Sequence, residues 1–316
     1  MSIHSINGSS LNAAYDKTGT SLSIAYDKDE NEVWRSGSSG PSHLVSNSFT
    51  ATLLYDIIDI ESGTQGLACD SLSQTIAQLY TGKIITIDLS DGSYTQRASA
   101  RNLGHGSAGQ FEPEKRNSED LYPALWISTG QAQTINDIRY ARFLEVFIGQ
   151  SQSTINRVFY VPATGYNLFA FDFENRLIYM CGLINSDGAS YMRVYDMDDY
   201  SAFPDGAYAQ TPANGHYILG DYLAEYSMDY IEGPVQSVSF FDGLVAFLSD
   251  AVGVVFWDVA THDVFLTINS GIVPYEREGI DFIKNPSTGQ TDMVLSARQN
   301  TSANAFNVYY RYEFNV

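Results

Sequence analysis

Short apolar runs separated by polar turns follow one another along most of the chain, and their residues alternate as they do in β-strands. The pattern is clearest in residues 65–128. There, residues 75–80 and 83–89 are rich in β-branched and aromatic residues, and turns follow them at Thr81-Gly82 and Ser90-Asp91-Gly92. Glycine tolerates the positive φ that such turns require. The pattern therefore predicts an all-β protein built from strands joined by tight turns.

The strand and turn pattern recurs along the chain, which is typical of a β-propeller, where each repeat is a small antiparallel sheet. We expect the first strands of the repeats at residues 66–70, 107–111, 168–173, 235–240 and 279–283. Five starts predict a five-bladed β-propeller, although the uneven spacing keeps six blades as an alternative. The last repeat is one strand short, so we expect the strand at residues 48–60 to complete it and close the ring. Residues 131–140 are a candidate for a helical turn.

The N-terminal segment carries a tandem repeat of its own. Ala14-Tyr15-Asp16-Lys17 recurs eleven residues later as Ala25-Tyr26-Asp27-Lys28, which predicts a small β-meander. Three domains follow, namely a repeat-containing β attachment segment at 1–34, a Gly/Ser-rich linker at 35–42 and the propeller at 43–316. Because so short a meander buries little by itself, we expect it to dock on another chain. A flexible or domain-packed leader is the alternative.

Charge and composition limit the classes of partner that the protein is expected to bind. Thirty-seven acidic residues against seventeen basic ones give a formal charge of −20, which repels nucleic acids and anionic membranes, so we expect neither as a partner. No window approaches the roughly 18 apolar residues of a membrane span, and the N-terminus lacks the features of a signal peptide. We therefore expect no membrane insertion and a virion or extracellular location reached by lysis. Cys69 and Cys181 lie in apolar runs and are expected to be buried free thiols.

One short motif could carry chemistry. Gly104-His105-Gly106-Ser107 places a serine beside a histidine, but it lacks the glycine spacing of a nucleophile elbow. We therefore expect His105 to contact a ligand at the entry of a first strand or to satisfy a backbone carbonyl, and we expect no catalytic residue. Cofactors are not expected, although Asp196, Asp198 and Asp199 offer oxygens that make calcium an alternative.

An aromatic insert follows at residues 200–230. It mixes tyrosine rings with hydrogen-bonding side chains, which is how proteins hold sugars, since C–H faces stack on rings and hydroxyls need directional partners. The candidate ligand-binding residues in it are Tyr208, Tyr217, Asp221, Tyr222 and Tyr226. The alternative is that the insert covers the side of the propeller or forms a subunit contact.

Residues 65–128 resemble the receptor-binding and teichoic-acid-biosynthesis-like β-propellers of phages that infect Gram-positive bacteria. The matching residues are Gln65-Gly66, Ile87-Asp88-Leu89, Gly92 and Gly104-His105-Gly106. His105, Phe111, Asp120, Tyr122-Pro123, Leu125 and Ser128 are also similar to a pattern in uncharacterised propellers of gut bacteria and their phages. The N-terminal repeats are similar to segments of gut phage tail proteins. The resemblance covers about a third of the chain and implies a glycan-binding propeller that is not an enzyme.

These observations lead to one main hypothesis and two alternatives. The main one is a non-enzymatic phage tail or adhesion propeller that recognises a host cell-surface polysaccharide. It would bind other virion or tail proteins through residues 1–34 and act as a homo-oligomer in an assembly. The first alternative is a glycan-active hydrolase or lyase, and the second is a purely structural virion component. The acidic charge of the chain suits an anionic teichoic acid poorly as the ligand.

Overall fold

The computed structural model describes residues 24–26, 32–35, 43–46, 48–58, 65–99, 103–130, 133–135, 137–163, 165–183, 188–198, 221–269, 272, 276–300 and 305–315. The chain divides into two compact units, Met1–His43 and Leu44–Val316. In the first unit, β1 (Ile24–Tyr26) pairs antiparallel with β2 (Glu32–Arg35). The first copy of the predicted repeat, around Ala14-Tyr15-Asp16, lies outside the described residues. The predicted roles of the three domains stay predictions.

In the second unit, the described residues form β-strands in five antiparallel groups of four, with one further short strand in group 2, and the groups are numbered here in chain order. Group 1 contains β4 (Leu67–Asp70), β5 (Thr75–Leu79), β6 (Lys83–Asp88) and β7 (Tyr94–Ser99). Group 2 contains β8 (Ala108–Phe111), β9 (Leu125–Ser128), β11 (Ile138–Ile148) and β12 (Gln152–Pro162), and β10 (Gln133–Ile135) adds to β11. A short parallel pairing of β7 with β12 links the two groups.

The other three groups have the same antiparallel order. Group 3 contains β13 (Tyr166–Asp172), β14 (Leu177–Leu183), β15 (Gly188–Asp196) and β16 (Ala224–Glu232). Group 4 contains β17 (Val235–Phe241), β18 (Leu244–Ser249), β19 (Gly253–Asp258) and β20 (Asp263–Ile268). Group 5 contains β21 (Glu276–Lys284), β22 (Thr291–Asn300), β23 (Ala305–Phe314) and β3 (Phe49–Ile58). The predicted first strands and the predicted pairing of the N-terminal strand with the last one are confirmed.

The first strands of the groups contact one another in series, β4 to β8, β8 to β13, β13 to β17, β17 to β21 and β21 to β4. Hydrophobic clusters of the described residues lie between consecutive groups, including groups 5 and 1. Burial decreases outward, because β5 is buried on both faces whereas most of β7 is exposed. Each group therefore packs against both neighbours through its first strands.

Side chains from other groups complete the hydrogen bonding of these first strands, whose inner edges have no ladder partner among the described residues. The side-chain oxygen of Gln110 accepts from the N–H groups of Phe171 at 2.7 Å and Phe240 at 3.2 Å. The carboxylate of Asp281 accepts from the N–H of Cys69 at 2.7 Å. Polar residues inside apolar strands thus link different groups, including groups 2 and 4, which are not consecutive in the series.

Two further expectations are tested by the fold. The described residues of the segment 131–140, which are 133–135 and 137–140, form no helical turn. They contribute β10 and the start of β11, and Asp137 in the hairpin between them has a positive φ of 64°. For these residues the prediction was wrong, because β10 pairs with β11 and β11 pairs with β12 from Tyr140 onward, and this pairing, which local sequence does not reveal, keeps the segment extended. Cys69 and Cys181 are both free and buried, as predicted.

Candidate functional site

A cavity of about 430 Å³ opens where the first strands of groups 1, 2, 4 and 5 end. We call it the inner cavity. Its size lies in the range of small-molecule binding sites. Four phenylalanines give it an apolar wall, and carboxyl, amide and amine groups stand among them. The residues that matter most for its chemistry are Gln110, Phe240, Phe241, Asp281, Phe282 and Lys284.

The aromatic wall is preorganised by packing. Phe241 stacks on Phe282 with ring centroids 4.6 Å apart and an interplanar angle of 18°. Phe240 stacks on Tyr179 at 5.4 Å and 5°. Phe240 and Phe241 are half-buried, because each lies at the end of β17, where the ring stays in contact with the core on one side only. The wall therefore presents fixed ring surface to the cavity.

Asp281 is the polar centre of the inner cavity. Its carboxylate accepts from the Cys69 N–H at 2.7 Å and from the Ser239 hydroxyl at 2.5 Å. Burial raises the pKa of Asp281 to about 7, although the hydrogen bonds from Ser239 and Cys69 oppose the rise. The same carboxyl group can therefore exist in both protonation states near neutral pH, which suits it to donate or accept a proton.

Some polar groups on the rim of the inner cavity are hydrogen-bonded within the protein, and others can bind a ligand. The Asp70 carboxylate is occupied by its own turn, since it accepts from the Leu72 N–H at 2.9 Å and the Ser73 hydroxyl at 2.5 Å. Lys284 is exposed, and no partner of its ammonium group lies among the described residues. Leu72 is 59% exposed. The rim therefore offers one cation and an apolar edge to a ligand.

His105 lies at the opposite end of the first strand of group 2, away from the inner cavity. Its Nδ1 is 3.0 Å from the Ser107 hydroxyl, which is hydrogen-bonded to the Tyr166 hydroxyl. Burial lowers the pKa of His105, so the ring is neutral at neutral pH. Its Nε2 has no partner among the described residues. The geometry leaves this nitrogen able to contact a ligand, and ligand binding by His105 stays a prediction.

Ser107 is placed as a positioning residue for His105 and not as a nucleophile. It is 1% exposed, and a Cβ at Gly130 would collide with both its hydroxyl and that of Tyr166. No substrate carbonyl fits beside so enclosed an oxygen. Burial raises the pKa of Tyr166 to about 12, and the charge of Glu278 contributes to that rise. Glu278 is 5% exposed.

The residues predicted in the aromatic insert are not gathered into the inner cavity. Tyr208 and Tyr217 lie outside the described residues. Asp221 and Tyr222 are exposed at the start of the segment that leads into β16, and the Arg193 guanidinium lies 4.9 Å from the Tyr222 ring centroid. Tyr226 stacks on His262 at 3.7 Å. It therefore packs group 3 against group 4, and one face of its ring is covered.

The residues of the inner cavity were missed by sequence reasoning, although two of them carried a signal. Gln110 in Ala-Gly-Gln-Phe and Asp281 in Gly-Ile-Asp-Phe are polar residues inside apolar strands, which marks them as buried and hydrogen-bonded. Nothing in the sequence distinguishes Phe241 and Phe282 from the many aromatic residues of the core. They line the cavity because the fold brings the ends of their strands beside those of other groups.

The described residues contain no group of three or more His, Cys, Asp or Glu side chains that could hold a metal ion. Asp196 accepts from the N–H of Asp198 at 2.8 Å, and Asp198 pairs with Arg176. Asp199 lies outside the described residues. Calcium binding at this segment stays a prediction. Among the described residues, no helix has the length and apolar character needed to cross a membrane.

Comparison with known proteins gives a fold and no family. No protein-family model matches the chain, and no curated protein matches it in sequence. The tail fibre of Staphylococcus aureus phage P68 is similar in structure, with a TM-score of 0.51 and 11% identity over 84% of this chain. The match covers 53% of the fibre, so this chain spans about half of its length. At this identity the similarity shows a propeller-like fold alone.

Two enzymes are also similar in structure. The glutaminyl cyclase of Myxococcus xanthus has a TM-score of 0.46 at 10% identity, covering 84% of this chain and 97% of the cyclase. An oxidoreductase of Thermus thermophilus described as a glucose dehydrogenase has a TM-score of 0.45 at 9% identity, covering 84% and 100%. The prediction that the chain is not an enzyme is therefore wrong, because proteins of propeller-like fold that resemble it include enzymes. The fold, which 639 solved chains share, identifies no activity.

Proposed function

We propose that residues 44–316 form a five-bladed β-propeller that recognises a glycan on a host cell surface. The support for five blades is the closed series of first strands and the pairing of β3 with β23 in group 5. A strand from the N-terminal side that completes the last blade removes two exposed edges and joins the ends of the ring.

The inner cavity carries the glycan proposal. Sugars present flat C–H faces and many hydroxyl groups, and they are held by aromatic rings beside directional polar groups. Phe241 and Phe282 supply ring surface, and Asp281 and Lys284, which also line the cavity, supply an acceptor and a donor. The chain would then serve as a receptor-binding part of a phage tail or a related adhesion structure in a virion. The similarity to the tail fibre supports that location. The proposal also includes homo-oligomers and attachment through residues 1–34.

The first test is binding by a Phe241→Ala variant to an array of bacterial surface polysaccharides. Loss of a large aromatic contact costs about 2 kcal/mol in a binding site, so we expect roughly a thirtyfold weaker affinity for the best-bound polysaccharide. Phe265→Ala is the matched control, because Phe265 is 46% exposed on β20, outside the inner cavity. Equal affinity of both variants, or no binding of the unmodified protein, would overturn the proposal.

A second candidate function, cleavage of the bound glycan by a hydrolase or lyase, is favoured by Asp281. A carboxyl group with a pKa of about 7 in a ligand cavity is suited to general acid or base catalysis. If cleavage occurs, we expect Asp281→Asn to lower the rate of chain shortening by at least about 100-fold. Size-exclusion chromatography of the best-bound polysaccharide after incubation measures this. Unchanged chain length with the unmodified protein would eliminate this second candidate and leave recognition in place.

A further inference from the structure

Two more cavities adjoin the inner cavity on the side of groups 2 and 3. Their volumes are about 360 and 180 Å³, and we call them the middle and outer cavities. Glu112 lines all three, and Pro113 lines the inner and middle ones. Arg116 and Arg176 line both the middle and outer ones. Because each pair of neighbours shares wall residues, the three cavities lie side by side, and we call this row of cavities the groove.

The shared walls of the groove are held in place. The Glu112 carboxylate accepts from the Arg116 Nε at 3.0 Å and from the Trp126 Nε1 at 2.9 Å. Arg116 also contacts the fully buried Glu145. Burial lowers the pKa of Arg116, but its bonds to Glu112 and Glu145 outweigh this and raise it. A groove whose walls are already ordered loses little conformational entropy when a ligand binds.

The groove changes in character along its length. The inner cavity is walled by phenylalanines, whereas the middle cavity is lined by Lys115, Arg116 and Arg176 beside Phe173. Lysine and arginine side chains only donate hydrogen bonds, so this part suits oxygen acceptors such as hydroxyl and ring oxygens. Its cations are matched by carboxylates, since Glu112 and Glu114 also line it and Asp198 pairs with Arg176 at 2.7 Å. With a chain charge of −20, a neutral ligand fits better than a polyanion.

We infer that the three cavities are consecutive subsites for one neutral oligosaccharide that runs outward from the inner cavity between groups 2 and 3. This inference rests on the proposed glycan recognition and adds the length and the charge class of the ligand. A single sugar would occupy the inner cavity only. Further units would gain hydrogen bonds from Arg176 and ring contact with Phe173, so affinity rises with chain length.

Calorimetry with the full chain tests this inference. The probes are fragments of one to six sugar units, released by partial acid hydrolysis from the polysaccharide that binds best in the array. We expect affinity to rise by at least about thirtyfold between one and four units, since the middle and outer subsites each contribute about 1 to 1.5 kcal/mol. We expect Arg176→Asn to weaken four-unit binding about five- to tenfold and to leave one-unit binding unchanged.

The variants are chosen to separate binding from folding. Asparagine tolerates the positive φ of 58° at position 176. Arg139→Asn is the charge-matched control, because Arg139 is exposed on β11 and does not line the groove. Phe173→Ala is a second variant that should give the same length-dependent loss if Arg176→Asn does not fold.

Each outcome bears on a different claim. If no polysaccharide binds, both the proposed function and this inference are wrong. If one sugar unit binds as tightly as four, or if Arg176→Asn and Arg139→Asn behave alike, only the inference of consecutive subsites is wrong. A best-bound polysaccharide that is polyanionic would overturn the assignment of a neutral ligand.

Discussion

Replacing Glu145 by alanine is expected to lower the free energy of unfolding by about 3–5 kcal/mol. Glu145 is fully buried on β11, and its carboxylate contacts Arg116, Arg157 and Asn156. Arg157 is 6% exposed, so the variant would remove a buried carboxylate from a guanidinium that stays buried. Removing one partner of a buried ion pair destabilises a protein by much more than the intact pair stabilises it, because the remaining charge stays buried. Urea denaturation followed by circular dichroism measures the change.

A double variant distinguishes the unpaired charge from simple loss of packing. Replacing both partners, Glu145→Leu with Arg157→Leu, removes the pair without leaving a charge, and we expect it to recover at least about half of the loss. Should Glu145→Ala cost less than about 1 kcal/mol, or the double variant be the less stable of the two, this account of Glu145 is wrong. Because Glu145 also holds Arg116, the single variant should loosen the middle cavity as well.

Replacing Glu278 by glutamine is expected to stabilise the protein at alkaline pH and to have little effect at acidic pH. The pKa of Glu278 is raised from 4.5 to about 9, chiefly by burial and also by the charges of Glu276 and Asp250, while Arg298 opposes the rise. Glu278 lies at the register shift of β21, and no hydrogen-bond partner of its carboxyl lies among the described residues. The carboxylate form is therefore poorly accommodated in the folded state.

The direction of the pH dependence follows from proton binding. Below pH 4.5 both states hold the proton, so the carboxyl group does not affect stability. Between pH 4.5 and 9 only the folded state holds it, so stability falls as pH rises. Above pH 9 the carboxyl group is ionised in both states, and the free energy of unfolding is lowered by the full cost of burying the charged carboxylate. We expect Glu278→Gln to raise the free energy of unfolding by about 2–4 kcal/mol near pH 9, which is less than the full shift implies because the site relaxes.

Thermal denaturation at pH 4 and pH 9 checks this expectation. Glu119→Gln removes one exposed carboxylate and controls for net charge, and we expect it to leave the pH dependence unchanged. An equal change in Tm at the two pH values for Glu278→Gln would show that burial of its charge does not determine the effect.

The strands were predictable because their signal is local. Alternation of apolar and polar residues sets which face of a strand is buried, and turn glycines such as Gly92, with φ of 74°, mark where strands end. The first strands of all five groups and the role of β3 follow from counting these segments. The hairpin at Asp137 was missed. The pairing of the strands on either side imposes the positive φ on this non-glycine residue, and the local sequence does not show that pairing.

The candidate site was less predictable, because its residues are far apart in sequence. Asp281 contacts Cys69 from 212 positions away, and Gln110 bonds across 130 positions to Phe240. A search for local motifs found His105 and the tyrosine insert instead. Of these, His105 is held by Ser107 with one ring nitrogen open, while Tyr226 is engaged in packing against His262.

By itself, the sequence determined the all-β class, the positions of the first strands, the buried thiols and the acidic net charge, since each depends on composition or on neighbours a few residues away. Only the tertiary structure decided which polar residues became hydrogen-bonding links between groups, which aromatic rings border a cavity and which carboxyl groups are buried. These properties depend on how the ends of five separate strands meet. That meeting is produced by packing between groups, which no single stretch of the chain encodes.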